Sequence, residues 1–132
     1  MGKTLTIVLT AGSQENEDAV FAAGLAEAAI RRGHRVNLFL YGNGCNLANQ
    51  EAPHGGPLGI RENLQEHLDG LKVGRRLSRL AQAGAQVVTC HTTEYARGTE
   101  GLAYLPGVQR GDVGHVFTDL LVGSDVLIGL GR

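Results

Sequence analysis

Apolar positions along this chain alternate between two periods. Thr4–Thr10 is a run rich in β-branched residues and suits a buried strand. Gly12 and Ser13 break it, and Asn16 with Glu17 and Asp18 reads as a helix cap followed by an acidic first turn. The helix that follows carries Phe21, Leu25 and Ala29, and Ala22 and Ala26, at i, i+4 spacing. Arg31 and Arg32 followed by Gly33 give it a cationic last turn and a glycine stop. In Arg35–Tyr41 the residues Val36, Leu38 and Leu40 alternate, which predicts a second strand. Two strands joined through a helix form a βαβ unit, so they are expected to run parallel.

The next segment, Gly42–Gly59, is irregular, with Gly42, Gly44, Gly55, Gly56 and Gly59 beside Pro53 and Pro57. A loop of this length inside a compact domain points to function or motion. Leu64 and Leu68 suggest a short helix after it. Leu71–Ala83 places Val73, Leu77, Leu80 and Ala81 on one helical face, with Gly84 as the stop, and Gln86–Cys90 reads as a third strand. His91–Val108 is mixed, with a short helix expected near Thr93–Ala96. Asp112 caps a last helix whose apolar face is Val113, Val116, Phe117, Leu120 and Leu121; Gly123 ends it, and Val126–Leu130 is the final strand. The order predicts an α/β fold, a three-layer sandwich around a mainly parallel sheet. Chemistry in such sheets gathers beyond the carboxyl ends of the strands. Three connections leave those ends: Ala11–Asn16, Gly42–Gly59 and His91–Gly111.

Composition narrows the function classes. The 132 residues are expected to form one domain, 1–132, with a core that buries about two-thirds of the unfolded surface. The 12 Lys+Arg against 13 Asp+Glu leave no basic surplus for direct nucleic-acid binding. No apolar run approaches the ~20 residues that span a bilayer. The opening Met1–Ser13 reads as a first strand rather than a leader, and the expected setting is the cytoplasm. Two cysteines cannot build a disulfide-rich scaffold or a four-cysteine zinc site. No His-x-x-x-His or Cys-x-x-Cys occurs, so neither a metal nor another cofactor is expected. There is no Gly-x-Ser-x-Gly elbow and no Walker-type phosphate loop.

Cys90 is the leading chemical candidate. It ends a strand at the reactive edge, and the polar stretch from His91 through Glu94 can open a helix behind it. Backbone N–H groups and a helix start favour the thiolate, the reactive form. His91 and Arg97 add positive charge nearby. The competing reading is a buried structural thiol. Cys45, in the glycine-rich loop after the second strand, leaves the same edge and is a possible second thiol or an incidental loop residue. Glu94 reads as solvated, Asp112 as a cap, and His115 as an exposed polar residue on the last helix.

These segments together resemble the DsrE/DsrF-like sulfur-relay proteins, which include the TusD-type subunits of tRNA thiolation. The resemblance rests on the first strand and the helix ending in Arg-Gly-His34, and on Tyr41-x-x-Gly44-x-x-x-Ala48-Asn49-Gln50. It rests also on Gly84-Ala-Gln-Val-Val-Thr-Cys90 with Arg97-Gly98 following, and on Asp125-Val-Leu-Ile128. It implies a DsrE-like fold and a sulfurtransferase of the carrier type. In that role Cys90 accepts sulfane sulfur as a persulfide, with His91 and nearby N–H groups supporting the thiolate. Tyr41, Asn49 and Arg97 are implied as substrate- or partner-binding residues. The implied partners are sulfur-donor and sulfur-acceptor proteins, in a homotrimer, a homohexamer or a related heterohexamer. The resemblance covers both sulfur oxidation and tRNA thiolation, and assigns Cys45 no role. Two alternatives stay open: a non-catalytic oligomeric module that binds a redox partner, and a small nucleotide- or anion-binding domain using Ala11–Ser13.

Overall fold

The computed structural model describes residues 2–11, 17–48, 73–98 and 103–131. The turn expected at Gly12–Asn16, the helix expected near Leu64 and Leu68, and Asn49 lie outside the described residues. In chain order the elements are β1 (Thr4–Leu9), α1 (Glu17–Arg31), β2 (Arg35–Leu40), a 3-10 helix (Gly42–Ala48) and α2 (Val73–Gln82). They continue with β3 (Gln86–Cys90), α3 (His91–Arg97), β4 (Gln109–Gly111), a wide π-type turn (Val113–Phe117), α4 (Thr118–Val122) and β5 (Val126–Leu130).

Among the described residues, the strands form one five-stranded sheet in the order β4-β3-β2-β1-β5. Every pairing among them is parallel, so the sheet goes beyond the mainly parallel expectation. One residue row shows how it is built. Val87 pairs with Leu38, Leu38 with Ile7, and Ile7 with Ile128, so four strands place branched aliphatic side chains side by side.

Helices cover both faces, as parallel sheets require. Ile7, Leu9, Leu38, Leu40 and Val87 pack on one side with the buried faces of α1 and α2. Phe39, Val88 and Cys90 pack on the other with Leu120 and the half-buried Val116 and Phe117. The helices therefore make two outer layers around the sheet. Farther toward the amino end, the second face turns polar. Asn37 Nδ2 donates to Thr6 Oγ1 at 3.1 Å, and Thr6 also bonds the Ser124 hydroxyl.

Three sequence expectations are corrected here. The buried stripe of α1 is Ala19, Ala22, Ala23 and Ala26, while Phe21 is 57% exposed. Short side chains at i, i+3, i+4 and i+7 let the helix axis approach the sheet closely, and the large ring is left on the flank. The expected final helix is divided into the π-type turn and α4. Asp112 Oδ1 accepts from the N–H groups of His115 and Val116, both at 3.1 Å, so the expected cap is present. The broken helix changes the facing of the later residues, and Val113 and Leu121 are exposed rather than part of a buried face. Finally, β4 was not expected, because Gln-Arg-Gly carries no strand pattern of its own; pairing with β3 makes it.

Gly33 (φ 83°) and Gly84 (φ 108°) follow α1 and α2 in the left-handed region, as their positions suggested. Between these helices Arg76 grips Glu27 with two bonds, at 2.7 and 2.9 Å. This pairing holds the Glu27 carboxyl below the ordinary carboxylate range.

The central row makes a direct prediction. Leu38 is fully buried between Ile7 and Val87. Leu38→Ala is expected to lower the unfolding free energy by about 2–5 kcal/mol. Urea denaturation should show the loss as a lower midpoint at unchanged slope. An unchanged midpoint would mean that the row does not carry the core.

Candidate functional site

The parallel sheet brings the carboxyl ends of β1, β2, β3 and β4 to one edge, and the candidate thiols stand there. Cys90 is the last residue of β3 and the cap position of α3, in extended conformation (φ −72°, ψ 115°). Strand and helix thus meet at this residue, with no connecting loop. Its side chain belongs to the second-face cluster with Phe39, Cys45, Val88 and Leu120, and it is fully buried.

Cys45 reaches the same place by a different route. Tyr41 N donates to Leu9 O at 3.0 Å, which ties the exit of β2 to the end of β1. The chain then lies so close to β1 that a Cβ on Gly44 would sit 2.1 Å from the Leu9 carbonyl oxygen. Only a residue without a side chain fits there. The 3-10 helix seated in this way sends the Cys45 sulfur inward, 3.3 Å from Leu40 O, 3.6 Å from Cys90 O and 2.9 Å from Thr93 Oγ1. Thr93 Oγ1 in turn donates to Cys90 O at 3.1 Å. Cys45 and Thr93 therefore brace the backbone at the β3–α3 junction. The loop position suggested accessibility for Cys45, but its side chain is fully buried.

The other sequence candidates are distributed as follows. His91 is half-buried, its ring edge-on to Tyr95 with centroids 4.6 Å apart, and its Nδ1 is buried with no hydrogen-bond partner. Tyr41 is 42% exposed at the end of β2, and its ring stacks on Phe39 at 6.5 Å. Arg97 is the last residue of α3, and Gly98 follows it in the left-handed region (φ 68°). The edge thus collects Cys45, Cys90, His91 and Tyr41.

Sequence reasoning missed the group beside them. Glu94 was read as solvated, yet it is fully buried within the first turns of α3. Tyr104 Oη donates to Glu94 Oε1, Arg110 Nε donates to Tyr104 Oη at 2.6 Å, and Arg110 Nε lies 3.4 Å from Glu94 Oε1. Arg110 also lies over the Tyr104 ring at 5.0 Å. A buried carboxylate needs this company, because desolvating a charge without partners is costly. The second oxygen, Glu94 Oε2, has no hydrogen-bond partner, and neither does Thr89 Oγ1. Among the described residues, the buried unpartnered side-chain atoms are these two and His91 Nδ1, all within residues 89–94. No sequence signal marked Glu94. Its partners stand ten and sixteen positions away, and β4, which carries Arg110, has no strand signature.

His115 is exposed as expected, but Asp112 Oδ2 holds its Nδ1 at 2.8 Å. The pairing raises the His115 pKa and, with the two N–H bonds, lowers that of Asp112 to about 2. Among the described residues, no group of three or more His, Cys, Asp or Glu side chains converges as a metal site.

The DsrE/DsrF-like family model matches residues 3–120. The chain belongs to this family. Solved structures agree on the fold of this DsrE/DsrF-like chain. The YchN protein from E. coli is 18% identical, with a TM-score of 0.68 over 98% of this chain and 99% of its own. The conserved protein of unknown function BT1422 from Bacteroides thetaiotaomicron is also 18% identical, with a TM-score of 0.61 over 96% of this chain and 94% of its own. The protein of unknown function MTH1491 from Methanobacterium thermoautotrophicum matches at 18% identity and a TM-score of 0.61, over 96% of this chain and 98% of its own. No curated protein sequence matches the chain at a significant level.

The Tyr104 environment gives a measurable signature. Burial and the bond to Glu94 push the Tyr104 pKa up to about 12. Spectrophotometric titration should show one tyrosine ionising near that value and missing from Tyr104→Phe. The sign follows from linkage: a raised folded pKa means that the unfolded chain ionises first. Stability should therefore be intact below about pH 10 and fall as pH rises from there toward about 12. If all tyrosines titrate at the ordinary value, the Glu94 contact is absent in solution.

Proposed function

We propose that this DsrE/DsrF-like chain is a sulfur carrier that holds sulfane sulfur on Cys90 and passes it to a partner protein. The supporting observation is the position of Cys90, at the carboxyl end of β3 and the start of α3, within a chain that belongs to this family. In the first half-reaction the Cys90 thiolate attacks the outer sulfur of a donor persulfide. The donor S–S bond breaks, the donor leaves as a thiolate, and Cys90 carries the persulfide. In the second half-reaction an acceptor thiolate attacks that outer sulfur and releases Cys90 as a thiolate. Each step exchanges one S–S bond for another, so no external oxidant or reductant is needed. His91 is the adjacent group proposed to assist. Tyr41, Asn49 and Arg97 are the residues proposed to meet substrate or partner. The proposed setting is cytoplasmic; among the described residues no helix is long and apolar enough to cross a membrane.

Cys90 is fully buried in the single chain. Loading therefore requires the β3–α3 junction to open, and an approaching donor must compete with the contacts that close it. The same burial favours a second reading, a non-catalytic module that binds a redox partner. One experiment separates the two. The protein is incubated with a small-molecule persulfide donor, and the added sulfur is located by mass spectrometry, with native-state alkylation run in parallel. A carrier gains one sulfur on Cys90, keeps it in Cys45→Ser and loses it in Cys90→Ser. Label unchanged in Cys90→Ser would sink the carrier reading. No label, together with a thiol that resists alkylation, would select the binding module.

We also propose that the chain works as an oligomer, a homotrimer, a homohexamer or part of a heterohexamer. Support comes from apolar side chains on α4 and on the face of β5 turned away from α1, where Leu121 is 41%, Val122 80% and Leu127 46% exposed. Large apolar side chains left facing solvent are a common feature of contact surfaces. Analytical ultracentrifugation should show a trimer or hexamer for the chain alone or with its partner subunits. A monomer in both cases would remove this part of the proposal.

A further inference from the structure

The opposite edge of the sheet carries a concavity, independent of the thiols. It lies at the amino ends of β1, β2 and β5, whereas Cys90 stands at a carboxyl end. Its volume is about 500 Å³, within the range of small-molecule sites. The sheet order explains why it exists. α1 lies over β1 and β2, while β5 extends the sheet beyond β1 as an outer strand. Val126 pairs with Leu5 and so shares its face, beside the flank of α1. On that flank stand Leu25, Ala28 and Ala29, and the short alanines leave the space between helix and outer strand unfilled. The apolar lining is thus Leu5, Leu25, Ala28, Ala29 and Val126.

The charged part of the lining has one sign. Lys3 and Arg32 are exposed, and His34 is half-buried. His34 Nδ1 accepts from the Lys3 N–H at 3.1 Å, so the neutral ring keeps its proton on Nε2 as a further donor. Among the described residues, no acidic residue lines the cavity. Asp125, next to Val126 in the chain, is occupied by the Thr4 N–H at 2.7 Å. Three of the last four carbonyls of α1 are also occupied. Ala28 O accepts from Arg32 N, Ala29 O from His34 N, and Ile30 O from Gly33 N. An anion at this place therefore meets two cations and a ring N–H, which must outweigh the negative end of the α1 dipole and the Asp125 carboxylate beside the groove.

We propose that this groove binds a small amphipathic anion, a single carboxylate or sulfonate head on a short aliphatic or single-ring aromatic body. Lys3, Arg32 and His34 take the head, and the five apolar side chains take the body. The site needs no thiol chemistry and stands whether or not Cys90 carries sulfur.

The test is a titration of the full-length, isotopically labelled protein with octanoate, followed by amide NMR. Octylammonium and acetate serve as controls for charge and for the apolar body. Saturable shifts at Leu5, Leu25, Ala28, Ala29 and Val126 are expected with octanoate. Binding should weaken by roughly tenfold or more with either control, and similarly in the double variant Lys3→Glu/Arg32→Glu, the size expected for losing a charge-assisted contact. Both positions are exposed, and the amide spectrum reports whether the fold is kept; Arg32→Gln serves if it is not. The proposal is overturned if octylammonium binds as well as octanoate, or if the charge variants bind unchanged. It is overturned also if no saturable shift appears. Shifts that follow protein concentration instead of octanoate would assign the groove to a second copy of the chain, and would equally overturn it.

Discussion

Burial of the central strands on both faces is the constraint from which the rest follows. The row Val87, Leu38 and Ile7, flanked by the half-buried Ile128, can be hidden only if the strands share one register. A one-residue slip in any of them would turn its aliphatic set to the wrong layer. With every strand parallel, all carboxyl ends lie at one edge. Residues that are far apart in sequence, such as Cys45 and Cys90, become neighbours there through no direct preference of their own. Their proximity follows from the requirement that hydrophobic side chains leave water.

Seating at that edge is a matter of backbone contacts as much as side chains. The Leu9 carbonyl accepts from Tyr41 N, and a Cβ on Gly44 would stand 2.1 Å from it. This approach fixes where the 3-10 helix begins, and so where Cys45 points. A thiol is a weak donor, and one such bond contributes little. Three oxygen contacts from β2, β3 and α3 make Cys45 a common point for three elements. It thereby helps to define the backbone on which Cys90 sits.

The features legible in the sequence are those that rest on periodicity. The βαβ opening, the buried face of α2 with Val73, Leu77 and Leu80, and the strand ending in Cys90 all follow from apolar spacing. Asp112 is legible as a cap because the side chain acts on its own next turn. The illegible features need partners from elsewhere. β4 is a strand because β3 lies beside it, and Glu94 is buried because Tyr104 and Arg110 come to it across the chain. Phe21 shows a third kind of failure. It fits a helical apolar stripe as well as the alanines do, and packing distance, which periodicity does not encode, selected the small residues.

Full burial of Cys90 does not oppose a chemical role, given the shape of its surroundings. An exposed reactive thiol is open to oxidation, and its later stages are irreversible. A buried thiol that is uncovered only by local opening escapes this between turnovers. The elements around Cys90 suit such an opening. α3 has seven residues, and Cys90 at its start offers no side-chain cap. Its main buried polar anchor, Glu94, bonds through one oxygen and leaves the other unpartnered. Unpartnered buried atoms reduce the stability of the closed arrangement, because opening restores their hydration. The bonds from Cys45, Thr93, Tyr104 and Arg110 set what the opening costs, and a local opening of this kind needs only a fraction of the global unfolding free energy. The strand has anchors outside α3, since Val87 packs in one layer of the sheet and Val88 in the other. On the carrier reading, a strand anchored in both layers fixes the position of the thiol, and the short helix that follows it is the element whose opening would admit a donor.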